Sequence, residues 1–404
     1  MATATILDEP RTVDRMIPSG DDFLTANELR QLTSEELMRR TAKLAPLLAA
    51  HAAEAEQLRR PVNEVWSALR RSGYFYQFVP KRFGGMATDL QGFFEATLPL
   101  AEACASTAWT ASFCATHNRS LANFPVDVQE EIWGDRFPYI IAPQLSPKGP
   151  ASVEEAEGGV LVTATWDWAT GIMHADWITA IAMVPQPEGP PKMLMLLFPA
   201  AEAQVLDTWY VDGMAGTGSH EIRVKRLFVP ERFVLRDPSG IIVGKGLAST
   251  LYPEAVYRMP WIPFSSATSS VVALGAARRA KAIFLERLSG RTQFGTGVKL
   301  SENAGVQIRL AEADLMLSTA ETLMREGLRV AETLSELEMP EQVPARVAFR
   351  AKAGLRYRSV PEGRASSGGR SRVKRSQARS AVWTRGARCA NAFKPRGKRN
   401  RRGV

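Results

Sequence analysis

Residues 207–230 read DTWYVDGMAGTGSHEIRVKRLFVP, and they concentrate groups that could meet a ligand. Gly213, Gly216 and Gly218 fall within six residues, with Thr217 and Ser219 between and after them. Glycine lets the backbone take positive φ and approach a ligand closely, and hydroxyls add short donors and acceptors. The same run also suits a hairpin turn, so the residues alone leave both readings open. A second candidate is His117, one of four histidines. Its imidazole titrates near neutrality, so it can take a proton from a phenol or hold one for a peroxide. A histidine satisfied by a neighbour is the commoner fate. Cys104, Cys114 and Cys389 have unrelated spacing and make neither a disulfide framework nor a metal site.

These groups need elements to hold them. Thr25 with Glu28 and Thr33 with Glu36 have capping-box spacing, which starts helices there after a loose lead-in over residues 1–24. Pro46 sits in the second helix, and Pro61 suits the first turn of the next. Helices are expected over 90–105 and 107–118, and FPVDVQEEIWG gives a short one between Pro125 and Gly134. Residues 25–135 thus form an all-helical domain. Apolar or β-branched runs at 160–168, 177–184 and 193–198 then read as strands, joined by the alternating Ile222, Val224 and Phe228. They define a middle β-domain over 136–242. Helical pattern returns over 243–355, where Val306, Leu310, Ala313, Leu317, Ala320 and Met324 form one amphipathic face. The fold class is therefore α+β.

Hydrophobic content of 45% and charged content of 23% are ordinary globular values. No apolar run approaches the roughly 18 residues of a membrane span, and the N-terminus lacks a secretory pattern, so a cytoplasmic setting is expected. The net charge of +9 is misleading, because residues 356–404 carry 16 Lys and Arg against Glu362 alone. The rest of the chain has 35 basic and 41 acidic groups and is mildly acidic. Such a tail can touch nucleic acid or anionic surfaces. We read it instead as a frameshift near codon 355, because the family resemblance described below implies two more bundle helices at this place in the chain. Arg356–Arg364 can be back-translated so that the next frame reads as a helix.

Several motifs in order resemble one family. Trp109, His117, Phe124-Pro125 and Glu131-Ile132-Trp133, then WDWATGIMHADW, then Trp209 with GTGS and FVP, are similar to the acyl-CoA dehydrogenase-like flavin monooxygenases. These are oxygenase components of two-component aromatic hydroxylases. GRTQFGTGVKLSENAGVQIRLAEA resembles the signature of the wider acyl-CoA dehydrogenase superfamily. The resemblance covers about residues 25–355. It implies an N-terminal helical domain, a middle β-barrel domain and a C-terminal bundle that is incomplete here. It places His117 beside the substrate and the reactive flavin edge, and Trp109 near the isoalloxazine. Thr170 stands at the serine that faces flavin N5, while Ala169 has lost the family's other hydroxyl. Gln144 and Ser146 fall where the family lines the flavin, and His174 reads as structural. Trp209, Gly216, Thr217, Gly218 and Ser219 are expected at the cofactor. Arg291, flanked by Gln293 and Phe294, is expected on flavin phosphate, often across a subunit boundary, and its forked guanidinium suits that task.

The implied activity is hydroxylation of an activated aromatic or heteroaromatic ring, phenol-like or indole-like, by reduced FMN or FAD and molecular oxygen through a C4a-hydroperoxyflavin. His117 and Thr170 would be the catalytic polar groups. A separate NAD(P)H-dependent flavin reductase and a homotetramer are implied partners. The rival is an acyl-CoA dehydrogenase, which needs a carboxylate to take the thioester's α-proton. None lies between Glu254 and Glu286, and the tail offers only Glu362. A third class, a non-enzymatic remnant or binding protein, applies if the tail is authentic.

Overall fold

The computed structural model describes residues 11–16, 23–134, 141–144, 147–337 and 341–347. Ser146 and the 356–404 tail lie outside them. Residues 11–16, part of the expected lead-in, run beside the middle domain, with the Val13 amide donating to the Val205 carbonyl at 3.1 Å.

Thr25 and Glu28 make a complete capping box at α1 (Ala26–Gln31), and Thr33 caps α2 (Ser34–Ala50). α3 (Ala52–Leu58) and α4 (Asn63–Ser72) follow, with Pro61 just before the Val62 cap rather than inside the first turn. Next come α5 (Leu90–Ala103), α6 (Ala105–Leu121) and α7 (Val126–Trp133), the last held between Pro125 and Gly134 as its sequence requires.

α6 is buried on nearly every side although it is rich in hydroxyls. Three of those hydroxyls are satisfied by the helix itself. Thr110 donates to the Ser106 carbonyl at 3.0 Å, Ser112 to Trp109 at 2.9 Å and Thr116 to Phe113 at 3.0 Å. A polar helix can therefore cross the core and carry functional groups into it.

The expected β-barrel is built as two four-stranded sheets. One is ordered β1 (Ile141–Gln144), β4 (Trp177–Val184), β5 (Lys192–Pro199), β8 (Val234–Leu235). The other runs β2 (Ser152–Ala156), β3 (Gly159–Trp166), β7 (Glu221–Pro230), β6 (Gln204–Leu206). Alternation buries Val160, Val162 and Trp166 of β3 with Ile178, Ala180 and Ala182 of β4 in one shared core. The Trp166 indole joins the sheets by donating to the Ile181 carbonyl at 2.8 Å. The antiparallel register of β3 with β7 ends at Trp166 opposite Ile222, which sets the segment after β3 beside the segment before β7.

Short helices α8 (Ser239–Val243), α9 (Leu247–Leu251) and α10 (Ala255–Arg258) lead into α11 (Trp261–Leu288) and α12 (Ala304–Thr333). Phe264, Val271 and Leu274 bury the first half of α11, and a Cβ on Gly275 would stand 2.4 Å from that of Ala101, so glycine permits this close helix crossing. Arg278 bridges Glu102, at 2.7 Å, and Glu321, tying α5, α11 and α12 together. No helix among the described residues is long and apolar enough to cross a membrane.

Candidate functional site

Trp109, Phe113 and His117 follow one another at intervals of four along α6 and so share a stripe. Their rings touch in sequence, Trp109 and Phe113 tilted with centroids 4.5 Å apart and Phe113 and His117 stacked at 5.9 Å. His117 is 4% exposed. Its Nδ1 lies 2.8 Å from the Phe113 carbonyl. A carbonyl only accepts, so Nδ1 carries the proton and Nε2 presents a lone pair. That Nε2 is buried and has no hydrogen-bond partner. Burial lowers the imidazole pKa to about 4, opposed in part by the Phe113 bond, so the ring is neutral at pH 7. A buried neutral base with one vacant lone pair is what proton removal from a weakly acidic ring substituent requires.

The His117 ring is covered on its other side by α11. Trp261 meets His117 edge-on, with centroids 5.2 Å apart. Arg119, buried and two residues beyond His117, fixes that corner. Its Nε donates to the Val256 carbonyl at 2.6 Å and its Nη2 to the Met259 carbonyl, and its guanidinium lies 4.6 Å over the Phe264 ring. Burial without a carboxylate lowers its pKa to about 9. Sequence reading did not single out Trp261, because Pro260 and Pro263 obscured the start of α11. Both suit the cap and first turn, where a missing amide proton costs nothing.

The β3/β7 register brings Thr170 and the GTGS loop together. The Ala169 amide donates to the His220 carbonyl at 2.8 Å, extending the ladder beyond Trp166. Thr170 Oγ1 then lies 3.0 Å from Ser219 Oγ, Ser219 Oγ donates to Thr217 Oγ1 at 3.0 Å, and Thr217 Oγ1 donates to the Met214 carbonyl at 3.0 Å. All three hydroxyl residues are buried. α6 touches this assembly through Thr110, whose Oγ1 is 3.4 Å from the Thr217 carbonyl. Cys114 touches it too, since a Cβ on Gly171 would stand 2.3 Å from Cys114 Sγ. One helix thus carries both the aromatic stripe and the contact to the hydroxyl chain.

The glycines of the loop serve a different end from the one their pattern suggests. A Cβ at Gly216 would lie 3.0 Å from Glu56 Oε1 and 3.1 Å from the Ala55 carbonyl carbon. At Gly218, with φ +58°, it would lie 2.6 Å from the Arg59 carbonyl oxygen. These glycines admit the end of α3 rather than open space for a ligand. Glu56 seals the contact: its carboxylate accepts from the Ala215 amide at 2.9 Å, the Gly216 amide at 3.2 Å and the Ser106 hydroxyl. It lies 159 residues from Ala215 in the chain, and nothing local in sequence signals it.

Trp209 leads the same loop. Its amide and that of Thr208 both donate to His220 Nδ1 at 3.3 Å, so this nitrogen is unprotonated and the nearby Asp207, 3.8 Å away, makes no ion pair with it. The Trp209 indole Nε1 is buried without a partner. Trp168, not singled out from the sequence, is held at φ 59° with 45% of its surface exposed beside Thr170. A bulky residue in the left-handed region marks strain and is a signal only a structure supplies. His174 stacks on Trp66 at 4.6 Å, and its Nε2 donates to the Pro61 carbonyl at 3.1 Å, a packing role in keeping with its structural reading.

Arg291, Gln293 and Phe294 are not brought to this site within the chain. They follow α11, whose 28 residues place them about 40 Å from Trp261 at 1.5 Å per residue. All three are exposed, the Phe294 ring completely.

The buried, unpartnered Trp209 indole donor and the buried hydroxyl chain of the same loop fit a polar-edged aromatic group such as a flavin: Thr170, Thr217 and Ser219 offer hydroxyl oxygens, and Trp109 on α6 a ring face. The acyl-CoA dehydrogenase C-terminal domain family matches residues 267–380. The chain is 34% identical over 287 residues to the flavin-dependent monooxygenase oxygenase subunit HsaA of Mycobacterium tuberculosis, covering 70% of this chain and 72% of that protein. It is 32% identical over 310 residues to the FADH2-dependent resorcinol hydroxylase oxygenase component of a Rhizobium species, covering 75% of each. The crystal structure of the M. tuberculosis HsaA monooxygenase superposes with a TM-score of 0.71 at 29% identity, over 81% of this chain and 85% of that one. With these likenesses and the helical, β and helical regions in that order, the chain belongs to the acyl-CoA dehydrogenase-like flavin-dependent monooxygenases.

Proposed function

We propose that the protein hydroxylates a phenol-like or indole-like ring, with His117 Nε2 accepting the proton of the ring's hydroxyl or N–H group as the ring is attacked. The observation that carries this is the buried, unpartnered Nε2 in a tautomer fixed by the Phe113 carbonyl. Reduced FMN or FAD, when bound, supplies the two electrons that let molecular oxygen deliver one atom to the ring. Trp109, Phe113 and Trp261 would hold the substrate ring by their faces and edges and keep water from His117. Thr170, Thr217, Ser219 and Trp209 would hold the flavin, and Ser146, outside the described residues, is assigned there by its motif.

The length of α11 supports a shared site. Arg291, Gln293 and Phe294, some 40 Å along the helix axis from Trp261, would serve the flavin of a neighbouring copy. A homotetramer is the assembly proposed, with Phe294 and the exposed outer halves of α11 and α12 at its contacts. The relatives are named oxygenase subunits or components, which supports a separate NAD(P)H-dependent reductase as partner. We also propose that the chain is read in a shifted frame within residues 356–404, a reading opposed by the family match that runs on to residue 380. Resequencing the DNA tests this, and an unambiguous frame through codon 404 removes it.

The test of function supplies chemically reduced FMN or FAD and oxygen with a panel of phenols and indole, and measures hydroxylated product against hydrogen peroxide. Product in near-stoichiometric yield with one class of ring supports the proposal; peroxide alone with every ring contradicts it.

A further inference from the structure

We propose that Ser219 and Thr217 fix Thr170 as a hydrogen-bond acceptor, and that the site thereby selects the reduced flavin over the oxidised one. The inference rests on the reading that Thr170 faces flavin N5. It concerns what Thr170 offers there, which the motif does not say.

The direction of the chain follows from its end. The Met214 carbonyl can only accept, so the single proton of Thr217 goes to it, across 3.0 Å. Thr217 therefore has lone pairs but no proton for Ser219, and Ser219 donates to it, also across 3.0 Å. The single Ser219 proton is then spent. Across the remaining 3.0 Å the donor must be Thr170. Each residue is at most 6% exposed, so water does not compete for these protons. Thr170 is left with lone pairs directed away from Ser219 and no proton to give.

That polarity discriminates between the two redox states. N5 of reduced flavin bears a hydrogen and needs an acceptor. N5 of oxidised flavin bears a lone pair and needs a donor, and against Thr170 it would meet a second lone pair. One hydrogen bond made in one state and frustrated in the other corresponds to a preference on the order of tenfold. An oxygenase fed by diffusion of reduced flavin gains from this, because spent flavin leaves more readily.

The test is the ratio of dissociation constants for oxidised and reduced flavin. It is measured anaerobically on the full chain with FMN and with FAD, and cross-checked by the midpoint potential of the bound flavin. Tenfold in the ratio corresponds to about 30 mV for a two-electron couple. Ser219→Ala releases the Thr170 proton, and the ratio should fall about tenfold. Thr217→Val should do the same, because Ser219 would then donate to Thr170 and reverse the chain; it carries the test if Ser219→Ala does not fold. Thr217→Ser, which keeps the hydroxyl, should preserve the wild-type ratio. A merely structural role would weaken both redox states alike and leave the ratio unchanged. Thr170→Val separates the two levels of the argument. If it lowers the ratio while folded Ser219→Ala and Thr217→Val do not, the relay is refuted and the N5 reading stands. If Thr170→Val also leaves the ratio within twofold of wild type, the N5 reading fails, and the relay with it.

Discussion

Replacing His117 by Asn isolates the property that the proposed chemistry depends on. An Asn amide at this position can donate to the carbonyl four residues back, as Asn123 does to Arg119 at 3.1 Å in the same stretch of chain. The bond to Phe113 is thus retained and only the Nε2 lone pair is lost. The vacated ring atoms leave a small cavity, costing about 1–2 kcal/mol of stability. Losing a positioned general base costs roughly 10²- to 10⁴-fold in the step it serves. That corresponds to about 3–5 kcal/mol of barrier, so the catalytic effect far exceeds the structural one. The assay is rapid mixing of the protein and reduced flavin with oxygenated substrate, following product and hydrogen peroxide. The variant should still consume reduced flavin and oxygen, but yield mainly peroxide. Wild-type His117 adds a signature of its own. With a pKa near 4 the imidazole stays in its acceptor form at every pH above that value. The profile of kcat/KM should therefore show no acidic limb near the ordinary histidine value of about 6.5 and stay flat until acid unfolds the protein. A folded His117→Asn protein that hydroxylates within threefold of wild type would refute the assignment.

Acid should unfold the protein early. His117 and His174 are buried neutral with pKa values lowered to about 4 and about 3, so the unfolded chain binds protons that the folded one refuses. Stability is complete above about pH 6.5 and lost as pH falls toward 4, by roughly 5 kcal/mol for the pair at pH 4.5; urea titrations at pH 7 and 4.5 measure it, and equal midpoints contradict it. Glu56→Ala removes the acceptor for two amides of the GTGS loop, and flavin affinity should fall about tenfold, read by equilibrium titration. Gly171→Ala should destabilise by several kcal/mol, since its Cβ meets Cys114 Sγ and φ is +88°. Pairing it with Cys114→Ala should recover the steric part but leave the backbone strain of about 1 kcal/mol, as thermal melts will show. Phe294→Asp should leave the fold of the single chain intact while weakening flavin binding and assembly, measured by titration and sedimentation; an unchanged assembly counts against the shared site.

What could be read from the chain and what could not divide along physical lines. Strands β4 and β5 were legible because long β-branched and apolar runs end at Pro and Gly, and α7 because Pro125 and Gly134 punctuate it. His117 was legible as a titratable group in a motif. Its tautomer was not, because that depends on the carbonyl one helical turn away. The meeting of Thr170 with Ser219 depends on the register of β3 with β7, which no local pattern encodes. The spacing of Gly216 and Gly218 suits either a ligand or a tight turn. The space beside them is taken by α3 and by Glu56, a contact between segments some 160 residues apart. Trp261 escaped notice because its prolines look like breakers until they are seen in the cap and first turn of a helix.

The most direct test of the account is hydroxylation under isotopically labelled oxygen. Protein, chemically reduced flavin and a phenol that is turned over would be mixed with ¹⁸O₂, and the product analysed by mass spectrometry. One ¹⁸O atom is expected in the new ring hydroxyl, with the yield collapsing to peroxide in His117→Asn. Product carrying oxygen from water, or labelled product formed equally well without the His117 imidazole, would contradict it.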